Sequence, residues 1–279
     1  MTKKIQAIVK LIRPINFLIT FITVVVAAFI CQPGLVFSSS IILAAFAASF
    51  TLASGNIIND IYDVEIDKIN RSSRPLPSGK IINKEALVLY FIFQLLSLIL
   101  SWFINLPAFF IVIIATLLLF LYSKYLKRIP LIGNITVAFL TGLVFIYGGI
   151  AVENYDAAII PALFAFLINL IREIVKDMKD VKGDEKAGVV SFPIKYGFQK
   201  SKILILFVII LLFLFTFYPF LIQLFRIEYF IVVMVIVNPL LIYSVKILFE
   251  DHSEKNLDKI SNILKLDMVV GLLAIFIGV

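Results

Sequence analysis

The chain has 279 residues, 62% of them hydrophobic, with a mean hydropathy of +1.08 and a formal net charge of +7 at pH 7. Soluble domains are about 45–50% apolar, so this composition excludes an ordinary soluble protein and predicts a chain that lies mostly in a lipid bilayer. Its single cysteine, Cys31, excludes an intrachain disulfide and a cysteine-rich metal site.

The apolar runs predict transmembrane helices. They are continuous and about 20 residues long, whereas the strands of a membrane barrel alternate polar and apolar residues. Residues 1–13 form a basic amphipathic lead at the membrane interface, and no signal-peptide cleavage site follows the first apolar run. The predicted spans are 14–32, 36–59, 84–104, 107–125, 132–152, 157–178, 201–223, 227–249 and 261–279. We therefore expect an all-α polytopic membrane protein, with one domain over residues 1–279 and cap loops at about 60–83, 124–131 and 178–200.

The basic residues predict the orientation of these spans. With the N-terminus in the cytoplasm, every lysine and arginine except Arg226 falls on the cytoplasmic side. Positive charge is characteristically retained on that side, so the net charge of the chain reflects membrane topology and not nucleic-acid binding. The expected protein is a multi-pass membrane protein with its long polar loops, and hence its active site, at the cytoplasmic face.

An acidic cluster follows the second span. If this stretch is helical, Asn59, Asp63 and Asp67 lie one above another on a single face, with Asp60 beside them. Like charges stacked in this way repel unless a positive group lies between them, and a divalent cation is the simplest such group. The alternative is a solvated helix end at the membrane surface.

A second acidic cluster follows the sixth span. Asp177, Asp180 and Asp184 are spaced i, i+3 and i+7, and Glu173 lies one turn earlier. Oxygen ligands without histidine or cysteine favour Mg²⁺ or Mn²⁺ over zinc, and two clusters on opposed helices would suit ions that bridge a diphosphate. The predicted metal ligands are Asn59, Asp63, Asp67, Asp177, Asp180 and Asp184.

Basic side chains accompany both clusters. Each could bind lipid headgroups or an anionic substrate, and for Arg71, Arg74 and Lys127 we favour a diphosphate, which needs charge-assisted donors beside Mg²⁺. The prolines and glycine of residues 74–79 predict a rigid turn that folds over the site as a lid.

Several motifs of this sequence resemble those of the UbiA superfamily of intramembrane prenyltransferases. The matching stretches cover residues 13 to about 190, and two aspartate motifs in this order and context are far more specific than either alone. The matching motifs are Arg13-Pro14-x-Asn16, Asn59-Asp60-x-x-Asp63-x-x-x-Asp67, Arg74-Pro75-Leu76-x-Ser78-Gly79, Tyr122-Ser123, Leu126-Lys127-Arg128, Gly133-Asn134, Arg172-Glu173-Ile174 and Asp177-x-x-Asp180-x-x-x-Asp184.

The resemblance implies a fold and a reaction. It implies about nine helices around a central cavity, with Mg²⁺ ions that grip the diphosphate of an allylic donor while an acceptor attacks the carbocation. Asn59, Asp63, Asp67, Asp180 and Asp184 would take part in catalysis, together with Tyr122, whose ring would face the cation or else anchor the interface. The implied substrate-binding residues are Asn16, Asp60, Arg71, Arg74, Lys124, Lys127, Arg128, Arg172, Lys176 and Asp177.

Three functions stay open from the sequence. Within the family, the motifs look most like members that transfer a geranylgeranyl group from geranylgeranyl diphosphate to the hydroxyl of geranylgeranylglyceryl phosphate, which forms the second ether bond of archaeal lipids. The second hypothesis is an aromatic acceptor, such as hydroxybenzoate or a quinone precursor. The third is an ion-coupled secondary transporter, although transporter carboxylates lie near the bilayer midplane and these lie at helix ends.

Overall fold

A computed structural model describes residues 2–34, 38–186 and 188–279. Residues 35–37, where the sequence predicts an outer connection and the start of the second span, lie outside the described residues. Ala187, in the predicted cap loop 178–200, also lies outside them, as do the side chains of residues 2, 3, 69 and 70.

Helices account for nearly all the regular structure in these ranges. Nine helical segments are long and apolar enough to cross a membrane, which confirms the predicted all-α polytopic fold class for the part of the chain described. The helices are α1 Thr2–Ile12, α2 Pro14–Cys31, α3 Ser39–Tyr62, α4 Val64–Asn70, α5 Asn83–Trp102, α6 Leu106–Lys124, α7 Ile132–Ala151, α8 Ile159–Lys186, α9 Phe192–Leu221, α10 Ile227–Val232, α11 Asn238–Glu250 and α12 Glu254–Gly278.

The predicted loop at 178–200 is wrong over most of its length. α8 continues to Lys186 and α9 already begins at Phe192, while α12 begins at Glu254 and not at residue 261. The extended ends of α8 and α12 pair with each other: Lys179 Nζ lies 2.6 Å from Asp258 Oδ1, and Lys182 Nζ lies 3.1 Å from Glu254 Oε1. A rule based on apolar length stops a helix where its charges begin, and it therefore misses helices that continue on charged side chains.

The chain divides into two compact units. The first contains Met1–Leu126 and Val144–Ala158, and the second contains Lys127–Leu143 and Ile159–Val279. In the first unit, α3 packs against α2, α5 and α6. Small residues of α3, including the buried Ala44, Ala45 and Ala47, allow this close approach of backbones, as is common where helices meet in membranes. Hydrogen bonds such as Thr51 Oγ1 to Ser97 Oγ, at 2.6 Å, join α3 to α5.

In the second unit, α12 packs against α8, α10 and α11. A π-helical turn, Val233–Val237, precedes Asn238, whose amide hydrogen-bonds to Thr216 Oγ1 of α9 at 3.2 Å. Asp267 of α12 is only 1% exposed, and neither carboxylate oxygen has a hydrogen-bond partner within the described ranges. An unpaired acid at this depth of a membrane helix is unusual.

Candidate active site

The first acidic cluster lies where α3 passes into α4. α3 ends at Tyr62 and α4 begins at Val64, so Asp63 is a break with φ −96° and ψ 2°. The sequence predicted one continuous helical face and missed this break. The i to i+4 hydrogen bonds nevertheless continue across it, with Asp63 N donating to Asn59 O at 3.0 Å and Asp67 N to Asp63 O at 2.8 Å. The predicted stacking order is therefore retained along a bent backbone.

The side chains of the cluster contact one another in part. Asn59 Nδ2 donates a hydrogen bond to Asp63 Oδ2 at 2.9 Å, which joins two of the predicted metal ligands. Asp60 and Asp67 are both buried, at 4% and 5% exposure. A buried carboxylate must be paired or hydrogen-bonded to remain charged, so the partners of these two residues decide the electrostatics of the cluster.

Two arginines supply those partners. Arg74 Nη1 lies 2.5 Å from Asp67 Oδ2 and 3.3 Å from Asp60 Oδ1. Arg13 Nη2 lies 2.5 Å from the same Asp60 oxygen, and Arg13 Nη1 donates to Asn56 Oδ1 at 3.1 Å. The positive charge that the sequence assigned to a divalent ion is thus supplied in part by guanidinium groups. Asp60 is a partner of both arginines, and its predicted contact with substrate stays a prediction.

The segment after α4 is a series of tight turns. Ser78 N donates to Arg74 O at 3.0 Å and Gly79 N to Leu76 O at 3.0 Å, and Gly79 has a φ of 70°, which glycine adopts without strain. Leu76 and Ile81 are buried against Ala7 and Leu11 of α1. The predicted rigid turn is therefore present, and it packs against α1.

The second cluster lies on an uninterrupted part of α8. Asp177, Asp180 and Asp184 keep the helical spacing that the sequence predicts. Asp177 Oδ2 accepts a hydrogen bond from Asn134 Nδ2 at 2.8 Å, whereas Asp180 is exposed. The sequence could have flagged Asn134 only through its place in the Gly133-Asn134 motif.

Glu173 forms a basic-acidic group one turn before Asp177. It is 8% exposed and accepts hydrogen bonds from Lys176 Nζ at 2.9 Å and from Arg172 Nη1 at 3.3 Å. Two residues predicted to bind substrate, Arg172 and Lys176, therefore pair with a carboxylate of their own helix.

The other predicted residues have varied surroundings. Lys124 Nζ lies 4.8 Å from the centre of the Tyr125 ring and 5.9 Å from that of Phe120, so both rings form cation–π contacts with it. Tyr122 is half-buried on α6, and Lys127 and Arg128 form a 3₁₀ turn. Asn16, in the first turn of α2, and Arg71, after α4, are exposed.

The donor chemistry of both clusters fits Mg²⁺. All six predicted ligands present carboxylate or amide oxygens, which hard cations prefer. Among the described residues, no three Asp, Glu, His or Cys side chains lie close enough together to form a complete metal site. Mg²⁺ usually takes one or two protein carboxylates and completes its shell with water and substrate phosphate.

The fold and these groups define a class: a polytopic helical membrane protein with acidic and guanidinium groups suited to a metal ion and a phosphorylated ligand. The sequence profile of the UbiA prenyltransferase family matches residues 20–266. The chain therefore belongs to the UbiA prenyltransferase family, which confirms the predicted family and sets aside the transporter hypothesis.

Individual relatives cover nearly the whole chain. Digeranylgeranylglyceryl phosphate synthase of Methanosphaera stadtmanae is 36% identical over 97% of this chain and 98% of its own. A solved structure from work on digeranylgeranylglyceryl phosphate synthase in membranes is 39% identical to this chain, with a TM-score of 0.83. The match covers 99% of this chain and 98% of that one. A UbiA homologue from Archaeoglobus fulgidus bound to GPP and Mg²⁺ is 21% identical with a TM-score of 0.71, and covers 96% of this chain and 99% of its own; it shares the fold.

Proposed function

We propose that this protein transfers a geranylgeranyl group from geranylgeranyl diphosphate to the hydroxyl of geranylgeranylglyceryl phosphate, in a reaction that requires Mg²⁺. The observation that carries the proposal is the similarity of nearly the entire chain to a digeranylgeranylglyceryl phosphate synthase. The acidic clusters and the arginines beside them are the residues that such a reaction needs. The product is a lipid with two isoprenoid ether bonds.

The residues that would hold Mg²⁺ are Asn59, Asp63 and Asp67 of the first cluster and Asp177, Asp180 and Asp184 of the second. Bound Mg²⁺ supplies Lewis-acid chemistry, because it neutralises the diphosphate and makes it a better leaving group. Asn59 orients Asp63 through its 2.9 Å hydrogen bond, and Asn134 orients Asp177 through its 2.8 Å bond. The two amides thereby fix one carboxylate in each cluster.

The guanidinium groups bind the diphosphate of the donor. Arg74 is held at the cluster and Arg71 is exposed beside it, so both present N–H donors to phosphate oxygens. As the allylic C–O bond breaks, its electron pair leaves on the diphosphate. The acceptor oxygen forms the new bond to that carbon, and the departing diphosphate provides an oxyanion that takes the hydroxyl proton.

The turn at residues 74–79 excludes water from this step. An allylic cation reacts with any nucleophile, so the segment above it must be dry and held in place. Leu76 and Ile81 fix the segment against α1, and the apolar walls of the spans accommodate the prenyl chains. Tyr122 stabilises the cation with the face of its ring.

The acceptor is tested with purified protein in detergent. We expect transfer from radiolabelled geranylgeranyl diphosphate to geranylgeranylglyceryl phosphate, no transfer after chelation, and recovery when Mg²⁺ is returned. Hydroxybenzoate and a naphthoquinone precursor are the matched acceptors in parallel reactions. Transfer to an aromatic ring alone would overturn the ether-lipid assignment.

The clusters face the cytoplasm in this proposal, with the N-terminus on the same side. The support is the charge distribution, in which only Arg226 falls on the opposite side. The test uses a protein with the buried Cys31 replaced by Ser and one new cysteine, at Ser78 or at Glu153, both of which are exposed. A membrane-impermeant maleimide should label Glu153→Cys in intact cells and Ser78→Cys only after permeabilisation; the reverse pattern contradicts this topology.

A further inference from the structure

Arg13 adopts a backbone conformation that a residue with a side chain rarely takes. It lies between α1 and α2, immediately before Pro14, with φ 57° and ψ 72°. The left-handed region is unfavourable for a non-glycine residue and persists only where surrounding contacts determine it. Such residues concentrate at functional sites, so the contacts of Arg13 need a reason.

Both ends of the Arg13 fork contact α3. Nη1 donates to Asn56 Oδ1 at 3.1 Å, and Nη2 donates to Asp60 Oδ1 at 2.5 Å. Asn56 and Asp60 are one helical turn apart, so a planar guanidinium can span them. These bonds use one N–H of each terminal nitrogen and tie the guanidinium to α3.

Asp60 connects Arg13 to Arg74, the residue that we propose binds the diphosphate. Its Oδ1 also accepts from Arg74 Nη1 at 3.3 Å, and the same Arg74 nitrogen lies 2.5 Å from Asp67 Oδ2. Arg74 is therefore held between two carboxylates through Nη1. Within the described residues both ion pairs of Arg74 are formed by Nη1, so Nη2 and Nε are available for phosphate oxygens.

The four side chains form a chain of alternating charge. It runs Arg13, Asp60, Arg74, Asp67, with two positive and two negative groups. Without Arg13, Arg74 would be the one basic partner of Asp60 among the described side chains. The buried Asp60 would then attract Arg74 toward itself and away from the position between the two carboxylates.

We infer that Arg13 is a positioning residue for the diphosphate of the prenyl donor: through Asp60 it holds Arg74 in place to bind that group. This inference rests on the proposed function. In this role Arg13 acts through Asp60 and not through a contact of its own with the substrate. Loss of Arg13 should weaken the binding of the donor diphosphate and leave the binding of the acceptor unchanged.

The test compares Arg13→Gln with Lys4→Gln in the full-length protein. Lys4 is the matched control because it lies on α1 and forms an exposed ion pair with Glu85. The measurements are calorimetric binding of inorganic pyrophosphate with Mg²⁺, KM for geranylgeranyl diphosphate, KM for the acceptor, kcat and the thermal midpoint. Arg13→Gln should weaken pyrophosphate binding and raise the donor KM by about tenfold, the scale of one charge-assisted hydrogen bond. Arg13→Lys, which keeps the charge but not the fork, should recover part of this loss.

A double-mutant cycle separates positioning from direct contact. If Arg13 acts through Asp60, Arg13→Gln combined with Asp60→Asn should raise the donor KM no further than the larger single effect. Effects that multiply, a rise in acceptor KM instead of donor KM, or an Arg13→Gln protein that behaves like Lys4→Gln would each overturn the inference. If Arg13→Gln does not fold, Arg13→Lys takes its place in the cycle.

The two proposals fail in different ways. A wild-type protein that transfers nothing to the glyceryl phosphate acceptor contradicts the proposed function. The pyrophosphate-binding measurement still decides the role of Arg13 in that case, because it needs no acceptor.

Discussion

The two acidic clusters look alike in sequence but are built differently. In the first, the helix breaks at Asp63, and two buried carboxylates are neutralised by Arg13 and Arg74. In the second, α8 runs without interruption past Asp184, and Asp180 is exposed. The first cluster is thus pre-arranged by ion pairs within its own unit, whereas in the second Asp177 accepts a hydrogen bond from the side-chain amide of Asn134.

This difference suggests a division of labour. A cluster whose charges are already balanced is stable without its substrate, and its geometry is fixed before binding. A cluster with an exposed acid on a helix adapts to the ion and phosphate it receives. Removing an equivalent metal ligand from either cluster should therefore lower the rate of transfer equally. Removing an equivalent basic partner should lower the stability of the first cluster more than that of the second.

The largest effect is expected where the clusters are alike. Asp63→Ala and Asp180→Ala should each lower the rate of prenyl transfer by about 10³-fold or more, because a lost metal ligand removes several kcal/mol of charge stabilisation. Transfer is measured in detergent at saturating Mg²⁺. The control is Glu65→Ala, an exposed acid paired with Lys68, which should retain activity. Retained turnover in both cluster variants would contradict the metal-site assignment.

A stability comparison should separate the clusters. Arg74→Met leaves the buried Asp67 without its ion pair and should lower the free energy of unfolding by about 3 kcal/mol. Lys176→Met removes a half-exposed cation from Glu173, which keeps Arg172 as a partner, and should lower that free energy by about 1 kcal/mol or less. Thermal midpoints in one detergent measure both. Equal losses would show that the first cluster is no more pre-arranged than the second.

A smaller effect is expected from Asn134→Ala. This change removes the 2.8 Å hydrogen bond to Asp177 but no proposed ligand, so kcat/KM should fall by about tenfold, as for one hydrogen bond to a charged group. Asn134→Asp is the informative partner variant, because it places a second negative charge against Asp177 and should be worse than alanine. An alanine variant with wild-type activity would mean that Asp177 needs no orientation.

The smallest effect is expected outside the clusters. Lys182→Gln removes an ion pair to Glu254 in which both side chains are mostly exposed, and pairs of this kind contribute little. Transfer activity should stay within about twofold of wild type, and the thermal midpoint should barely change. A large loss of activity would contradict this prediction and place the Lys182 side chain itself within the active site.

The sequence was sufficient for the parts of the structure that depend on local composition. Apolar length predicted the spans, and the spacing of Asp177, Asp180 and Asp184 predicted their shared helix. The twenty-residue rule failed at residues 178–186 and 254–260, where charged side chains of α8 and α12 pair across the unit and extend both helices.

The pairing of Arg13 with Asp60 was beyond the reach of pattern analysis. The two residues are 47 positions apart, and nothing in the composition around either one names the other. The sequence does not predict the break at Asp63 either, because none of the residues 62–64 is a glycine or a proline. Contacts between residues far apart in the sequence depend on tertiary folding, and the structure shows that Asp60 pairs with Arg13 and Arg74.

Asp267, which has no hydrogen-bond partner among the described residues, has a consequence for how this protein enters the membrane. A carboxylate facing lipid alone is costly at the centre of a span, so α12 is poorly suited to insertion as an isolated helix. Its packing partners α8, α10 and α11 all precede it in the chain and are synthesised first. During insertion α12 can therefore pack against helices that are already in the bilayer. The order of the helices along the chain thereby lowers the free-energy cost of placing this carboxylate in the membrane.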